Sequence, residues 1–477
     1  MATHDLPVTT GLQKVPTGIA GLDEITQGGL PAQRVSLICG GPGCGKTVLA
    51  MEFLVNGILQ HGEPGLFVSF EESPDNLVEN FRSFGFDLEK LISNKQLKIL
   101  HVDIAGANLL EAGEFSLDGL LVMLEHAIKS TGVRRLAIDT METIFSSLSN
   151  TDGLRNEVAR LFRWLGDKGI TAVITGERGK EQLTRHGFEE YVSDFVLLLD
   201  HRIDKQISKR RLRVIKYRGS NHGKDEYPFL VSNHGFLAFP LTSLMLDYAV
   251  SLERISSGVP DIDGMLDGEG YFKGSTVMIS GTAGTGKSTL AAAFAVAACA
   301  RGESCLYLAF EESAGQLCRN MASVGIDLGN WMERGLLNLS SNRPTLFGLE
   351  EHLMQIQDMV DRHKPSCVII DPMSNFLSAG SGAEVKSMLL RIIGNLKSHG
   401  ITLLLTSLTR GSKITDETDA KASSLVDTWI ALDLEEKNHL HRREIHIIKS
   451  RGMEHSRQTR ELMFSSSGLS VRDLAPD

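Results

Sequence analysis

The chain has 477 residues, 42% hydrophobic and 23% charged, with a formal net charge of −10. That length exceeds one hydrophobic core and predicts two or three domains of ordinary globular composition. The acidic balance argues against a nucleic-acid-binding surface, and the longest apolar run, Leu290 to Ala300, is too short to span a bilayer.

In chain order, Pro16-Thr17-Gly18-Ile19-Ala20-Gly21-Leu22-Asp23 comes first. A strand-like Arg34–Cys39 then runs into Gly40-Gly41-Pro42-Gly43-Cys44-Gly45-Lys46-Thr47, and Val48–Leu54 has a helical composition. Strand, glycine loop and helix start make a phosphate cradle. Glycines let backbone N–H groups close on phosphates, and the helix N-terminus adds its positive dipole. Lys46 is expected to reach the β/γ-phosphates and the Thr47 hydroxyl to ligate Mg²⁺.

Short apolar runs at Gly65–Phe70, Leu97–Val102, Arg135–Asp139 and Thr171–Thr175 predict strands, with helical stretches such as Leu154–Asp167 between them. Alternating strands and helices predict an α/β fold with a mostly parallel sheet. Val196–Asp200, Leu212–Lys216 and Gly235–Ala238 follow with short connections, which predicts an antiparallel extension. The run Lys209–Arg213 reads as the solvated face of a strand.

The whole series then repeats. Ser256–Asp263 matches the opening segment, and Gly281-Thr282-Ala283-Gly284-Thr285-Gly286-Lys287-Ser288 is a second phosphate loop. Phe310–Ser313 matches Phe70–Ser73, Val368–Asp371 matches Leu136–Asp139, and Lys449–Gly452 with His455 matches Lys216–Gly219 with His222. One domain duplicated in tandem is expected, 1–242 and 243–477, with the boundary between Phe239-Pro240 and Leu252-Glu253. The six cysteines form no C-x-x-C pair. That predicts a reduced, cytoplasmic protein without a zinc site.

Asp139 and Asp371 each end an apolar strand downstream of a phosphate loop, where a carboxylate holds Mg²⁺ directly or through water. The doublets Glu71-Glu72 and Glu311-Glu312 also end strands. A carboxylate there faces the γ-phosphate and can orient a water or accept a hydroxyl proton, the first of each pair being the expected base. A helix-start role explains one such Glu, but not a doublet kept in both halves. The K-x-R segments, Lys216 with Arg218 and Lys449 with Arg451, read either as a solvated strand edge or as a γ-phosphate clamp supplied in trans.

Together these residues resemble the KaiC family, double-domain RecA-like ATPases of the cyanobacterial clock, from Thr17 to about Gly468. Arg254–Gly258, Tyr191–Asp194 and Glu226–Phe229 are the most specific stretches. The resemblance implies two RecA-like P-loop domains, a two-tiered homohexamer and ATP at subunit interfaces. By it, Gly43, Cys44, Gly45, Lys46, Thr47 and Val48 bind nucleotide, as do Ala283, Gly284, Thr285, Gly286, Lys287, Ser288 and Thr289. Thr47 and Ser288 ligate Mg²⁺ with Asp139 and Asp371, and Glu71 and Glu311 are catalytic with neighbours Glu72 and Glu312. Ser83 touches the nucleotide of the first domain. Lys216, Tyr217, Arg218, Ser220 and His222, more loosely Ser232 and Asn233, and in the second half Arg443, Lys449, Ser450 and Arg451 match contacts from the adjacent subunit.

The family also phosphorylates itself on an adjacent hydroxyl pair before a late strand, and alignment from Val426–Trp429 puts Ser423 and Ser424 there. Three departures stand out. Val324 replaces a base-stacking aromatic, the loop Gly411 to Ala420 does not align cleanly, and the chain stops at Asp477 without the tail that receives KaiA. The resemblance makes a KaiB-like protein a candidate partner, and without that tail KaiA is not an expected one. A nucleotide-switched scaffold without kinase activity is the alternative reading, and a DNA motor is disfavoured by charge and by the lack of a basic, aromatic-interleaved loop.

Overall fold

The computed structural model describes residues 11–102, 110–111, 114–115, 117–146, 151–179, 192–204, 207–233, 235–240, 250–343, 348–409, 424–437, 440–466 and 468–474. Tyr191, the loop 411–420 and Ser423 lie outside them. The chain forms two compact units, Met1–Thr242 and Ser243–Asp477.

In the first unit nine strands make one sheet: β1 (Val35–Gly40), β2 (Gly65–Ser69), β3 (Leu97–His101), β4 (Arg135–Asp139), β5 (Thr171–Glu177), β6 (Phe195–Asp204), β7 (Ile207–Tyr217), β8 (Tyr227–Ser232) and β9 (Gly235–Ala238). Their spatial order is β3-β2-β4-β5-β1-β6-β7-β8-β9. Pairings from β3 through to β6 are parallel, and those from β6 to β9 antiparallel. The second unit repeats this with β10 (Thr276–Gly281), β11 (Cys305–Ala309), β12 (Leu337–Ser341), β13 (Cys367–Asp371), β14 (Thr402–Leu408), β15 (Thr428–Lys437), β16 (Leu440–Ser450), β17 (Arg460–Ser465) and β18 (Gly468–Asp473). Its order, β12-β11-β13-β14-β10-β15-β16-β17-β18, is the same arrangement.

The inner parallel strands are buried on both faces, as crossover helices require, while the edge strands β3 and β12 are only partly buried. Every residue of β1, β2, β10 and β11 is buried. Helix α1 (Lys46–His61) lays Leu49, Phe53 and Leu54 on the sheet, and the corresponding α2 (Lys287–Ala300) does so with Leu290, Phe294 and Ala298. Both helices start at a left-handed glycine, Gly45 at φ 99° and Gly286 at φ 103°, a conformation open to glycine and costly for other residues.

The β6–β7 pair is longer than the apolar run predicts, because its distal half is held by cross-strand pairing rather than burial. Arg210 pairs with His201 and Lys209 with Arg202.

Glu52 of α1 is 6% exposed and accepts a hydrogen bond from Phe236 N at 2.7 Å, which ties the phosphate-loop helix to the β8–β9 hairpin. Burial pushes its carboxyl from the ordinary 4.5 up to about 7. The folded state therefore favours the protonated acid. This contribution is whole below about pH 4.5 and is lost as pH rises through about 7. Glu52→Gln should be the more stable protein at pH 8, by up to about 3 kcal/mol, with the gap closing by pH 5. Thermal melts of both proteins at the two pH values check this. A gap that stays the same would contradict it.

Candidate functional site

The C-terminal ends of β2, β4, β5 and β1, neighbours in that order, bring the predicted residues to one edge of the sheet. Lys46 Nζ donates to Gly40 O and Gly41 O, each at 2.9 Å, and Lys287 Nζ donates to Thr282 O at 2.7 Å. Each lysine thus stands over its own loop with its ammonium at the mouth. Thr285 is buried and its hydroxyl closes the second loop on Thr282 O at 2.8 Å. Cys44 fills that position in the first loop, and burial pushes its thiol up.

Thr47 Oγ1 donates to Asp139 Oδ2 at 2.8 Å, and Thr175 also donates to that carboxylate. Burial raises Asp139 above the usual carboxylate range. Among the described residues no group of three or more His, Cys, Asp or Glu could hold a metal alone. A hydroxyl and a carboxylate at a helix N-terminus suit Mg²⁺, with phosphate oxygens and water completing its shell.

The two members of each glutamate doublet have different settings. Glu71 is exposed, and its Oε1 accepts from Thr140 at 3.2 Å and from Thr143 at 3.4 Å, next to Asp139. Glu72 instead accepts from Asn80 Nδ2 at 2.9 Å, and Glu312 accepts from Asn320 Nδ2 at 3.1 Å, so the second member braces the following helix. Ser73 and Ser313, not the glutamates, cap those helices. That leaves the exposed Glu71 and Glu311 for chemistry.

The late-strand residues divide into two groups. Lys216 pairs with Val196, at the end of β6 away from the phosphate loop, and its Nζ donates to Ser193 O at 2.7 Å. Arg218 N donates to Asp194 O at 2.9 Å, whereas the loop's Gly40 lies beside Leu199. Five residues of strand separate those levels, about 16 Å. In the second unit Arg451 N donates to Asp427 O at 2.9 Å, while Gly281 lies beside Leu432. Arg451 Nη2 donates to Ser424 O at 3.2 Å, so the structure brings the clamp arginine to the described member of the serine pair. Burial, and then the Arg451 charge, lower Lys449.

Tyr217 and Ser450 turn inward. The Tyr217 hydroxyl donates to Gly29 O at 2.8 Å, and Ser450 shares a 3.0 Å hydrogen bond with Thr428. Contact with a nucleotide would fall to their backbones. Ser220 is partly exposed, and its hydroxyl donates to Asn221 O at 2.7 Å. His222 stacks on Tyr217 at 6.4 Å, and its Nδ1 is buried without a hydrogen-bond partner among the described residues.

Arg443 and the turn that carries Ser232 and Asn233 sit near their own phosphate loops. Ser232 and Asn233 belong to the β8–β9 turn, where a Cβ on Gly45 would stand 2.9 Å from Val231 Cγ2. Ser83 ends a short helix, its hydroxyl donating to Asn80 O at 2.7 Å, and, two residues on, a Cβ at Gly85 would lie 3.7 Å from Asn233 O. Arg443 Nε donates to Gly284 O at 3.0 Å. The hairpins fold back over the phosphate-loop helix.

The sequence reading missed Arg210. It stands at the position of Arg443, and a Cβ on Gly45 would lie 3.8 Å from its Nη1. It is therefore a loop-facing cation and not part of a solvated face. Its place in the repeat opposite Arg443 was the signal.

The family model "ATPase: KaiC" matches the chain twice, at residues 15–243 and 255–475. A relative described as circadian clock protein KaiC2, from Synechocystis sp., is 48% identical over 96% of this chain and 81% of its own length. Circadian clock oscillator proteins KaiC from Parathermosynechococcus lividus and Synechococcus elongatus are 37% and 36% identical, over 98% and 97% of this chain and 87% and 89% of their own lengths.

Proposed function

Because the chain belongs to the KaiC ATPase family, with two tandem RecA-like domains, we propose that it is a Mg²⁺-dependent ATPase assembled as a double-ring hexamer. We infer that its second domain also phosphorylates the chain on Ser423 or Ser424. The observation that carries this reading is the position of Lys216, Arg218, Lys449 and Arg451. They stand toward the far end of the sheet from their own phosphate loops, the two arginines about 16 Å and the two lysines about 10 Å away along the strands. Neither kind of side chain spans its distance, so each cation is useful to a nucleotide only when a neighbouring subunit presents one. A ring makes that arrangement for every subunit.

In each domain Lys46 or Lys287 neutralises the phosphates, and the loop amides hold them in line. Bound Mg²⁺ supplies charge neutralisation and a fixed phosphate geometry. Asp139 and Asp371 hold position at the strand ends. Glu71 orients a water in the first domain, and Glu311 accepts the proton of the incoming serine hydroxyl in the second. Ser424 lies against Arg451, so a neighbour's nucleotide clamped by that arginine would have the serine beside it. No helix among the described residues is long and apolar enough to cross a membrane.

Glu311→Gln should lower autophosphorylation by about 10²-fold or more while leaving ATP binding intact, because Gln keeps the shape and loses the base. Intact mass after incubation with Mg-ATP reads phosphate on the chain. Wild-type phosphate that the variant lacks supports the kinase. A chain that hydrolyses ATP and never gains mass would instead be a nucleotide-switched scaffold.

A further inference from the structure

The two phosphate loops are near copies, but the carboxylates beneath them are held differently. In the first unit both Asp139 oxygens accept from threonine hydroxyls, Thr47 on Oδ2 at 2.8 Å and Thr175 on Oδ1. In the second unit Thr406 donates to Asp371 Oδ1, as Thr175 does to Asp139. Asp371 Oδ2, however, accepts at 2.6 Å from the Tyr307 hydroxyl, and among the described residues no hydrogen bond joins it to Ser288. Tyr307 lies in β11 beside Ile369 and has no exposed surface. At the matching place in β2, beside Ala137, stands Phe67, equally buried and without a hydroxyl.

We propose that Tyr307 is a positioning residue that loosens the second domain's hold on the divalent cation of Mg-nucleotide, so that the two sites differ in metal affinity. The proposal rests on reading both loops as Mg-nucleotide sites. A carboxylate has a limited set of lone pairs, and a donor on Oδ2 withdraws charge from the oxygen that would otherwise face a metal ligand. The phenol is enclosed and has no solvent to turn to. If Oδ2 also serves the metal or Ser288 it must share its lone pairs with that hydroxyl, and if it turns away the hydroxyl is left unpaired in the core, which is costly. Phe67 imposes no such cost on Asp139, whose Oδ2 already meets the metal-ligating hydroxyl of Thr47. A hydrogen bond of this kind corresponds to about a tenfold difference in metal affinity.

The test is a Mn²⁺ titration followed by electron paramagnetic resonance on the intact, ADP-loaded protein. Wild type should show two nucleotide-dependent Mn²⁺ classes separated about tenfold. Tyr307→Phe should tighten the weaker class and merge it with the stronger one. Phe67→Tyr should weaken the stronger class. Thermal melts of both variants establish that they are folded. If Phe67→Tyr does not fold, Tyr307→Phe alone decides. A single class in wild type, or an unmoved weak class in folded Tyr307→Phe, overturns the proposal. No nucleotide-dependent Mn²⁺ at either loop overturns the reading of the sites as well.

Discussion

Arg218→Ala should lower ATP hydrolysis by the first domain by ~10³-fold or more while leaving its nucleotide content nearly unchanged. The loss is large because an arginine at the γ-phosphate acts mainly on transition-state charge. It is specific because the fold does not depend on the side chain. Arg218 is 53% exposed, and its ion pair with Asp194 is a long 3.8 Å surface contact. Such a pair contributes little to stability. The measurement uses a Lys287→Ala background, so that turnover reports the first domain alone. Melting temperature and bound nucleotide are followed in parallel. Hydrolysis within a few-fold of the parent would mean that the late strand is only a solvated edge.

Lys46→Ala should remove nucleotide from the first domain and weaken assembly of the ring. Lys46 is 8% exposed and sits over the loop on Gly40 O and Gly41 O. Alanine leaves those carbonyls without their donor and the phosphates without their main cation. Within the subunit that holds them, several negative charges would then face, besides Mg²⁺, backbone amides and a helix dipole whose equivalent charge is about half a unit. Where nucleotide bridges two subunits, its loss removes part of the interface too. Size-exclusion chromatography with ATP, and chromatographic assay of bound nucleotide, read both effects. An unchanged hexamer with unchanged nucleotide would contradict them.

The parallel half of each domain was legible because its strands are short apolar runs bounded by glycine and polar residues. Arg135–Asp139 has the predicted limits, and Gly65–Ser69 and Leu97–His101 end one residue earlier than the apolar runs suggest. The repeat located both loops, both strand-end aspartates and both glutamate doublets, since such chemistry needs fixed residue types at fixed spacings. The antiparallel half was less legible. In the β6–β7 and β15–β16 hairpins many distal residues are charged and are held by cross-strand partners rather than by an apolar pattern, as in the pairing of Arg443 with Leu434. Periodicity also cannot say which face of a strand meets a loop that arrives from elsewhere. Arg210 therefore read as solvated, while Tyr217 and Ser450, named as ligand contacts through the family resemblance, have side chains that point inward. Tyr307 was hidden for another reason. In an apolar strand a tyrosine looks like one more core aromatic, and only the 2.6 Å hydrogen bond to Asp371 distinguishes it from Phe67.

Mixed rings test the clamp in trans most directly. Lys46→Ala and Arg218→Ala subunits, each also carrying Lys287→Ala, are combined as monomers and allowed to assemble, and native mass spectrometry confirms that mixed hexamers form. Each parent alone should be nearly inactive. In a mixed ring, the intact phosphate loop of an Arg218→Ala subunit meets the intact arginine of a Lys46→Ala neighbour, so ATP hydrolysis should partly return. Mixed rings that form and stay inactive would place the arginine in cis or outside the reaction, and the interface site would be wrong.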